Sequence, residues 1–340
     1  MDLTSIIEDA IAEDHTHVGL EPPMMVVGRV LQLDADISAY ACCNLDETYA
    51  ENVEALKEYI QTRRIMAGAE FINLHLTMGD KGGRYDIAIL KEYQGNRKDR
   101  DPEQQIRVRA LREAMAGMHD QPFVSPVVWS DREADDGINI YQRRKIKRVG
   151  YDKSVISTTD KDLNMNPGLH MHPDTYEWKE VPDGYGSIWI DESTSSKKLV
   201  GKGTSFFWAQ LLMGDSADNI SGIPKISAYH NNLFNPTGAM LKAKTPDARA
   251  KIASKRKSTT CGPVLTFTLL KDCQTDKQAY DRVLELYEGY FGRGIIIVTK
   301  WDGSSIKTTA KEIMLSEARL LWMHRTPDDD VLNFFNEVNA

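Results

Sequence analysis

The sequence predicts an α/β fold in which a parallel sheet lies between helices, and three observations predict it. Apolar, valine-rich runs recur at lengths suited to buried strands. The first two are joined by one helical stretch, a strand–helix–strand unit that favours a parallel sheet. Most of these runs also end in acid: Asp34, then Asp80, then Glu133 with Asp135 and Asp136, then Asp160 with Asp162. The ends of parallel strands lie side by side, so acids distant in sequence converge there.

The elements follow in order. Residues 1 to about 24 are polar and acidic and read as an extension, with no basic start or apolar stretch of a secretory signal. Met24 to Leu33 reads as the first strand, closed by Asp34. Glu47 to Ala67 suits an amphipathic helix: Val53, Leu56 and Ile60 share a face, Arg63 and Arg64 suit its C-terminal end, and Gly68 stops it. Phe71 to Leu76 is the second strand and leads to Asp80. A charged interruption from about Lys81 to Pro122 carries helical spacing over Ile106–Met118. Val124 to Trp129 is the third strand, followed by a helix starting near Ser130 and Asp131 with Glu133, Asp135 and Asp136 in its first turns. Ser154 to Thr159 is the fourth strand and delivers Asp160 and Asp162. A helix over Thr204–Met213 precedes Asp215 and Asp218. Lys242 to Lys257 is basic and poor in apolar residues, as in a mobile loop. Lys277–Tyr290 and Ala310–His324 are expected to form helices in a C-terminal part over 261–340.

The 340 residues allow one large domain plus a smaller one, and the 41% hydrophobic and 27% charged fractions are those of a globular protein. No apolar run is long enough to span a bilayer. Four scattered cysteines, two of them adjacent (Cys42, Cys43), suggest neither a disulfide framework nor a zinc site, and a reducing cytoplasm is the expected compartment. The net charge of −8 is not evidence against a nucleic-acid partner, because the converging acids would be offset by bound cations. Basic residues cluster at 91–100, 143–148 and 242–257, and local patches set the electrostatic footprint.

Like charges packed closely cannot all ionise without a cation. Hard oxygen ligands favour Mg2+ or Mn2+, and two such ions roughly 4 Å apart activate a water and stabilise a leaving oxygen. Asp160 and Asp162 are two apart, which on a strand puts them on one side. Glu133 and Asp136, like Asp215 and Asp218, are three apart, which on a helix gives a shared face. Asp36 is equally suited to pointing inward or to capping.

The order of these motifs resembles the 5′→3′ exonucleases and flap endonucleases of bacteriophages and bacteria. The matching pieces are Leu33-Asp34-Ala35-Asp36, Gly79-Asp80-Lys81-Gly82, Glu133-Ala134-Asp135-Asp136, Thr158-Thr159-Asp160-Lys161-Asp162, and Met213 to Asn219 running into Ile220-Ser221-Gly222-Ile223. They span about residues 26–230.

The resemblance implies a PIN-like sheet over 25–213, with the insertion at about 81–122 forming a helical arch that clamps single-stranded DNA. It implies two divalent ions held by Asp34, Asp80, Glu133, Asp135, Asp136, Asp160, Asp162, Asp215 and Asp218. Arg84 and Arg97 are the implied catalytic cations that steady the scissile phosphate. Lys91, Tyr93, Gln94 and Lys98 are implied DNA contacts, although Gln94 stands where the family has Lys. A helix–turn–helix-like segment over 214–260 would grip duplex phosphates, with Lys225 and Ser227 where the family has glycines. The implied partners are DNA 5′ ends or flaps and RNA–DNA hybrids. Two rival readings remain: a non-catalytic binder of branched DNA on this scaffold, and a PIN-type ribonuclease. Arg143–Arg148 is either a phosphate contact or a solvated helix end. His170-Met171-His172 is expected in a surface loop, and Phe206, Phe207 and Trp208 in the core.

Overall fold

The computed structural model describes residues 21–79, 81–97, 101–193 and 195–340. It divides into two compact units. The first comprises Met1–Gly83, Asp99–Val181 and Met323–Asp328; the second comprises Arg84–Lys98, Pro182–Trp322 and Asp329–Ala340. Arg84–Lys98 and residues 182–213 thus group with the C-terminal part. No helix of the described residues is long and apolar enough to cross a membrane.

The first unit is built on a six-stranded sheet in the order β3-β2-β1-β4-β5-β6. Its strands are β1 (Val26–Asp34), β2 (Ala69–Thr77), β3 (Val124–Trp129), β4 (Ser154–Ser157), β5 (Gly168–Met171) and β6 (Trp178–Val181). β1 to β5 run parallel and β6 is antiparallel to β5. The helices are α1 (Ala35–Ala41), α2 (Tyr49–Met66), α3 (Pro102–Ala116) and α4 (Ala134–Val149). Thr48 and Glu51 close a capping box that starts α2, and Pro102 sits in the first turn of α3 behind the Asp101 cap.

Strand alternation gives the sheet two different faces. Leu31, Leu33, Ile72, Leu74 and Leu76 join Leu56, Ile60, Val108, Leu111 and Met115 from α2 and α3 in a continuous apolar core. The intervening positions carry a buried polar network instead. Gln32 Oε1 accepts from Asn73 Nδ2 (3.0 Å) and His75 Nε2 (2.9 Å), while Gln32 Nε2 donates to Ser154 Oγ (3.1 Å). Trp129 Nε1 donates to His75 Nδ1 at 3.1 Å, so the ring is held as the Nε2–H tautomer. Burial pushes the His75 pKa down to about 3, which keeps it neutral.

Three expectations are corrected here. His170 lies on β5, 1% exposed, with Nε2 at 2.8 Å from the Asn166 carbonyl, because a fifth strand extends the sheet where a surface loop was expected. The acid-bearing helix begins at Ala134, with Glu133 at its N-cap, a few residues later than expected. Residues 242–257 are not an irregular loop: Thr245 caps a helix over Pro246–Ala253 through the Ala248 N–H.

The second unit centres on α5 (Thr204–Met213), where Phe206, Phe207 and Trp208 are all 0% exposed, as expected of core aromatics. Around it pack the hairpin β7–β8 (Ser187–Asp191, Lys198–Lys202) and the helices α6 (Pro263–Leu270), α7 (Asp276–Phe291) and α8 (Ala310–Leu321). Trp208 Nε1 donates to Asp276 Oδ1 (2.8 Å), which satisfies its one polar group. All four cysteines are free thiols.

Candidate metal centre and nucleic-acid interface

In the first unit the strand order places the C-terminal ends of β2, β1 and β4 next to one another, and the side chains beyond those ends form an acidic cluster. Asp34, the last residue of β1, is 4% exposed and caps α1 by accepting from the Ile37 N–H at 3.3 Å. Leu33 pairs with Ser157, so the residue that follows β4, Thr158, reaches Asp34 Oδ2 with its hydroxyl at 3.0 Å. The Asp34 pKa is pushed up to about 7, first by burial and then by Asp36 and Asp160. Asp135, in the first turn of α4, is raised well above the carboxylate range by burial and by Asp34, Asp160, Glu133 and Asp136. Asp160 is therefore electrostatically coupled to both.

The other acids of this unit are partly committed elsewhere. Asp136 is fully buried and accepts from the His324 N–H at 2.9 Å. Glu133 pairs with Lys81 Nζ at 3.1 Å. Asp162 is not on a strand beside Asp160: its N–H donates to Asp160 Oδ1 at 2.8 Å in a turn that opens a short 3₁₀ helix. Asp36 points inward. It meets Arg112 Nε of α3 at 3.1 Å and accepts from the Thr77 N–H, and burial still raises its pKa. Asp80 and Lys98 lie outside the described residues, but the turn leading to Asp80 is tightly built. A Cβ on Gly79 would stand 2.3 Å from the Ser130 carbonyl oxygen, so only glycine fits there.

Among the described residues no three His, Cys, Asp or Glu side chains close on one point as a finished ligand set. Asp160 acts electrostatically on Asp34 and Asp135, and Asp34 on Asp135, without the three sharing a coordination sphere. Their donor chemistry fits a hard divalent cation: all are carboxylate oxygens, and burial raises the pKa of Asp34 and Asp135.

In the second unit, Asp215 is 2% exposed and exchanges backbone hydrogen bonds with Ile220, closing a turn in which its Oδ1 accepts from the Ala217 N–H at 2.8 Å. Gly214 opens that turn at φ 76°, where a Cβ would stand 2.3 Å from the Ile220 carbonyl oxygen. Asp218 is gripped by the segment carrying the expected DNA contacts. Gln94 Nε2 donates to Asp218 Oδ1 at 2.9 Å, Arg97 Nη2 pairs with the same oxygen, and the Gln94 N–H donates to the Asp218 carbonyl at 2.8 Å. Tyr93 is buried, with its hydroxyl 3.5 Å from Asp218 Oδ2, and Gln94 has a left-handed φ of 53°. Gln94 thus acts as a neutral donor that holds an acid.

Arg84 is 6% exposed and donates from Nη2 to the Trp322 carbonyl at 3.1 Å, an anchoring contact. Lys91 and Lys225 are exposed. Ser227 caps the helix Ala228–Phe234 and sits 2.9 Å from His230 Nδ1. Arg143 on α4 donates to Asn139.

Sequence reasoning missed four participants. Thr77 accepts from the Ala134 N–H at 2.9 Å and ties the end of β2 to the start of α4. Thr158, Arg112 and the His324 backbone each contact an acid described above. The two threonines were legible as hydroxyls at strand ends; nothing in the sequence pointed to Arg112 or His324.

Neither a protein-family model nor a curated protein matches the chain. Solved structures similar to it include the 5′-exonuclease of bacteriophage T5 with bound divalent metal ions (zinc), at 16% identity, covering 77% of this chain and 99% of that one, with TM-score 0.46. They also include a bacteriophage T5 flap endonuclease complex with DNA and metal ions, at 13% identity, covering 86% of this chain and 99% of that one, with TM-score 0.43.

Proposed function

We propose that this chain is a divalent-metal-dependent nuclease that hydrolyses phosphodiesters at DNA 5′ ends or 5′ flaps, with RNA–DNA hybrids as a further substrate class. The observation that carries the reading is the cluster at the strand ends, where Asp160 raises the pKa of both Asp34 and Asp135, and Asp34 adds to the rise at Asp135. In the proposal these three, with Glu133 and Asp136, hold two Mg2+ or Mn2+ ions. Asp80, Asp162, Asp215 and Asp218 complete the set implied by the resemblance. Bound ions of this kind supply an activated water and stabilise the leaving oxygen of a phosphodiester.

The chain's own residues prepare that chemistry. The Thr158 hydroxyl and the Ile37 N–H orient Asp34. The Thr77 hydroxyl fixes the start of α4 and so aims Asp135. Lys81 holds Glu133. Arg97 is the proposed phosphate cation, and Arg84 supports its segment from within.

A second reading, a non-catalytic binder of branched DNA, is favoured by two acids that already have partners: Asp136 with the His324 backbone, and Asp218 with Gln94 and Arg97. A 5′-labelled flap duplex incubated with Mg2+ or Mn2+ separates the two. The nuclease reading expects metal-dependent release of label, abolished by chelator and by the double change Asp135→Ala, Asp136→Ala with circular dichroism unchanged. Binding without release under any divalent metal selects the binder. Cleavage of single-stranded RNA alone selects a ribonuclease.

A further inference from the structure

Glu317 lies on the buried side of α8 at 1% exposure, an expensive place for a carboxylate. Burial raises its pKa to about 7. The charge of Lys91 lowers its pKa, but less than burial raises it. What it meets is backbone. Its Oε2 accepts from the Ser221 N–H at 3.1 Å, and the backbone N–H groups of Gly222 and Leu90 face the carboxylate and moderate the rise of its pKa.

These backbone groups belong to two irregular segments. One is the exit of the turn that carries Asp215 and Asp218. The other is the approach to Gln94 and Arg97. The same two segments are laced together further along: Asn219 Nδ2 donates to the Glu92 carbonyl at 2.8 Å, and Asn96 Nδ2 to the Ser216 carbonyl at 2.7 Å. The neighbouring Ser316 hydroxyl reaches the Ile87 carbonyl at 2.7 Å. Every link lies in the second unit.

We propose that Glu317 is a positioning residue, a carboxylate clamp that sets the Asp215–Asp218 turn against the Gln94–Arg97 segment and thereby fixes the geometry of the acid and the cation. It gives the C-terminal helices a role in the chemistry, and this step rests on the nuclease reading. The clamp itself does not: it is a statement about which amides the carboxylate holds. Misplacing a catalytic group by 1 Å costs roughly 100-fold in rate, so a clamp at this point has leverage.

The test is Glu317→Gln, which keeps size and shape but turns an NH2 toward N–H donors. Two readouts are taken on the full chain. In metal-free protein, amide hydrogen exchange should rise at least tenfold over 88–97 and 214–223 and stay unchanged in α5 and in the first unit. With flap DNA, the Mn2+ concentration for half-maximal cleavage should rise about tenfold while KM for DNA stays within twofold. Glu317→Asp should partly restore both. Exchange that is unchanged, or that rises equally through α5 and α8, overturns the clamp and leaves an ordinary buried acid. Local exchange with no shift in the Mn2+ requirement overturns the catalytic role. If the parent cleaves nothing, the nuclease reading fails and the exchange pattern still decides the clamp.

Discussion

Replacing Asp34 by Asn tests the acidic cluster without any assumption about substrate. A carboxyl whose folded pKa lies above its unfolded value binds its proton more tightly in the fold. It therefore adds no penalty below pH 3.8 and an increasing one as pH rises, complete above about pH 7. From 3.8 to about 7 the full penalty is about 4 kcal/mol at 1.36 kcal/mol per pH unit. Asp34 is only 4% exposed, so solvent screening removes little of this. The amide loses part of the Ile37 and Thr158 hydrogen bonds, at a cost of about 1 kcal/mol. In chelator at pH 8 the variant should be more stable than the parent by about 2–3 kcal/mol, or roughly 5–10 °C in Tm for a unit of this size. At pH 5 much of the penalty is already relieved, and the gain should shrink to about 1 kcal/mol or less. Contributions from groups outside the cluster cancel between variant and parent at each pH, and the relief of Asp135 in the variant adds to the gain at pH 8. Saturating Mg2+ should stabilise the parent at pH 8 and the variant much less. The assay is urea or thermal unfolding at the two pH values, with and without metal. A variant less stable than the parent at pH 8 in chelator would refute the reasoning, because the carboxylate would then be stabilising rather than strained.

Three further outcomes follow from the geometry. Arg97→Ala should lower single-turnover cleavage of flap DNA roughly 100-fold while Gln94 still holds Asp218, and an unchanged rate would remove Arg97 from the phosphate role. His75 should keep a neutral imidazole signature in NMR down to about pH 4. Its depressed pKa means that the unfolded chain takes up a proton below 6.5 while the fold does not, so its contribution to stability falls by about 1.4 kcal/mol for each pH unit below 6.5. Trp208→Ala should destabilise the second unit by about 3–5 kcal/mol in urea titration, because a fully buried indole and its bond to Asp276 are both lost.

The parallel sheet was legible because the strands β1 to β4 are apolar runs that each end in acid or lead straight to it. β5 was not, since Gly168–Met171 is only four residues long and carries His170 in a stretch rich in turn residues. The acids of the cluster were readable one by one, but their partners were not. Asp36 meets Arg112 across 76 positions of chain, and Asp136 meets the His324 backbone across 188. Local pattern carries no information about such pairs. The spacing rule succeeded for Glu133 and Asp136 only in placing both at the start of a helix, and failed for Asp160 and Asp162 because the strand ends at Ser157. The basic 242–257 stretch misled because its helix is short and capped by Thr245 rather than carried by an apolar face.

Residues 323–328 belong to the first unit although the chain on either side of them belongs to the second. From this short stretch come the N–H that Asp136 accepts, the carbonyls that Asn139 Nδ2 reaches at 3.2 and 3.1 Å, and the Pro327 carbonyl that Arg132 reaches at 3.0 Å. The acid-bearing helix therefore lacks these partners until residues 323–328 have been synthesised. At about 5–20 residues per second, the interval between synthesis of α4 and arrival of its last partners is on the order of ten seconds or more. Over that interval Asp136 lacks the His324 N–H from which it accepts in the fold, so an acid in the first turn of α4 gains that backbone donor only when synthesis has passed residue 324.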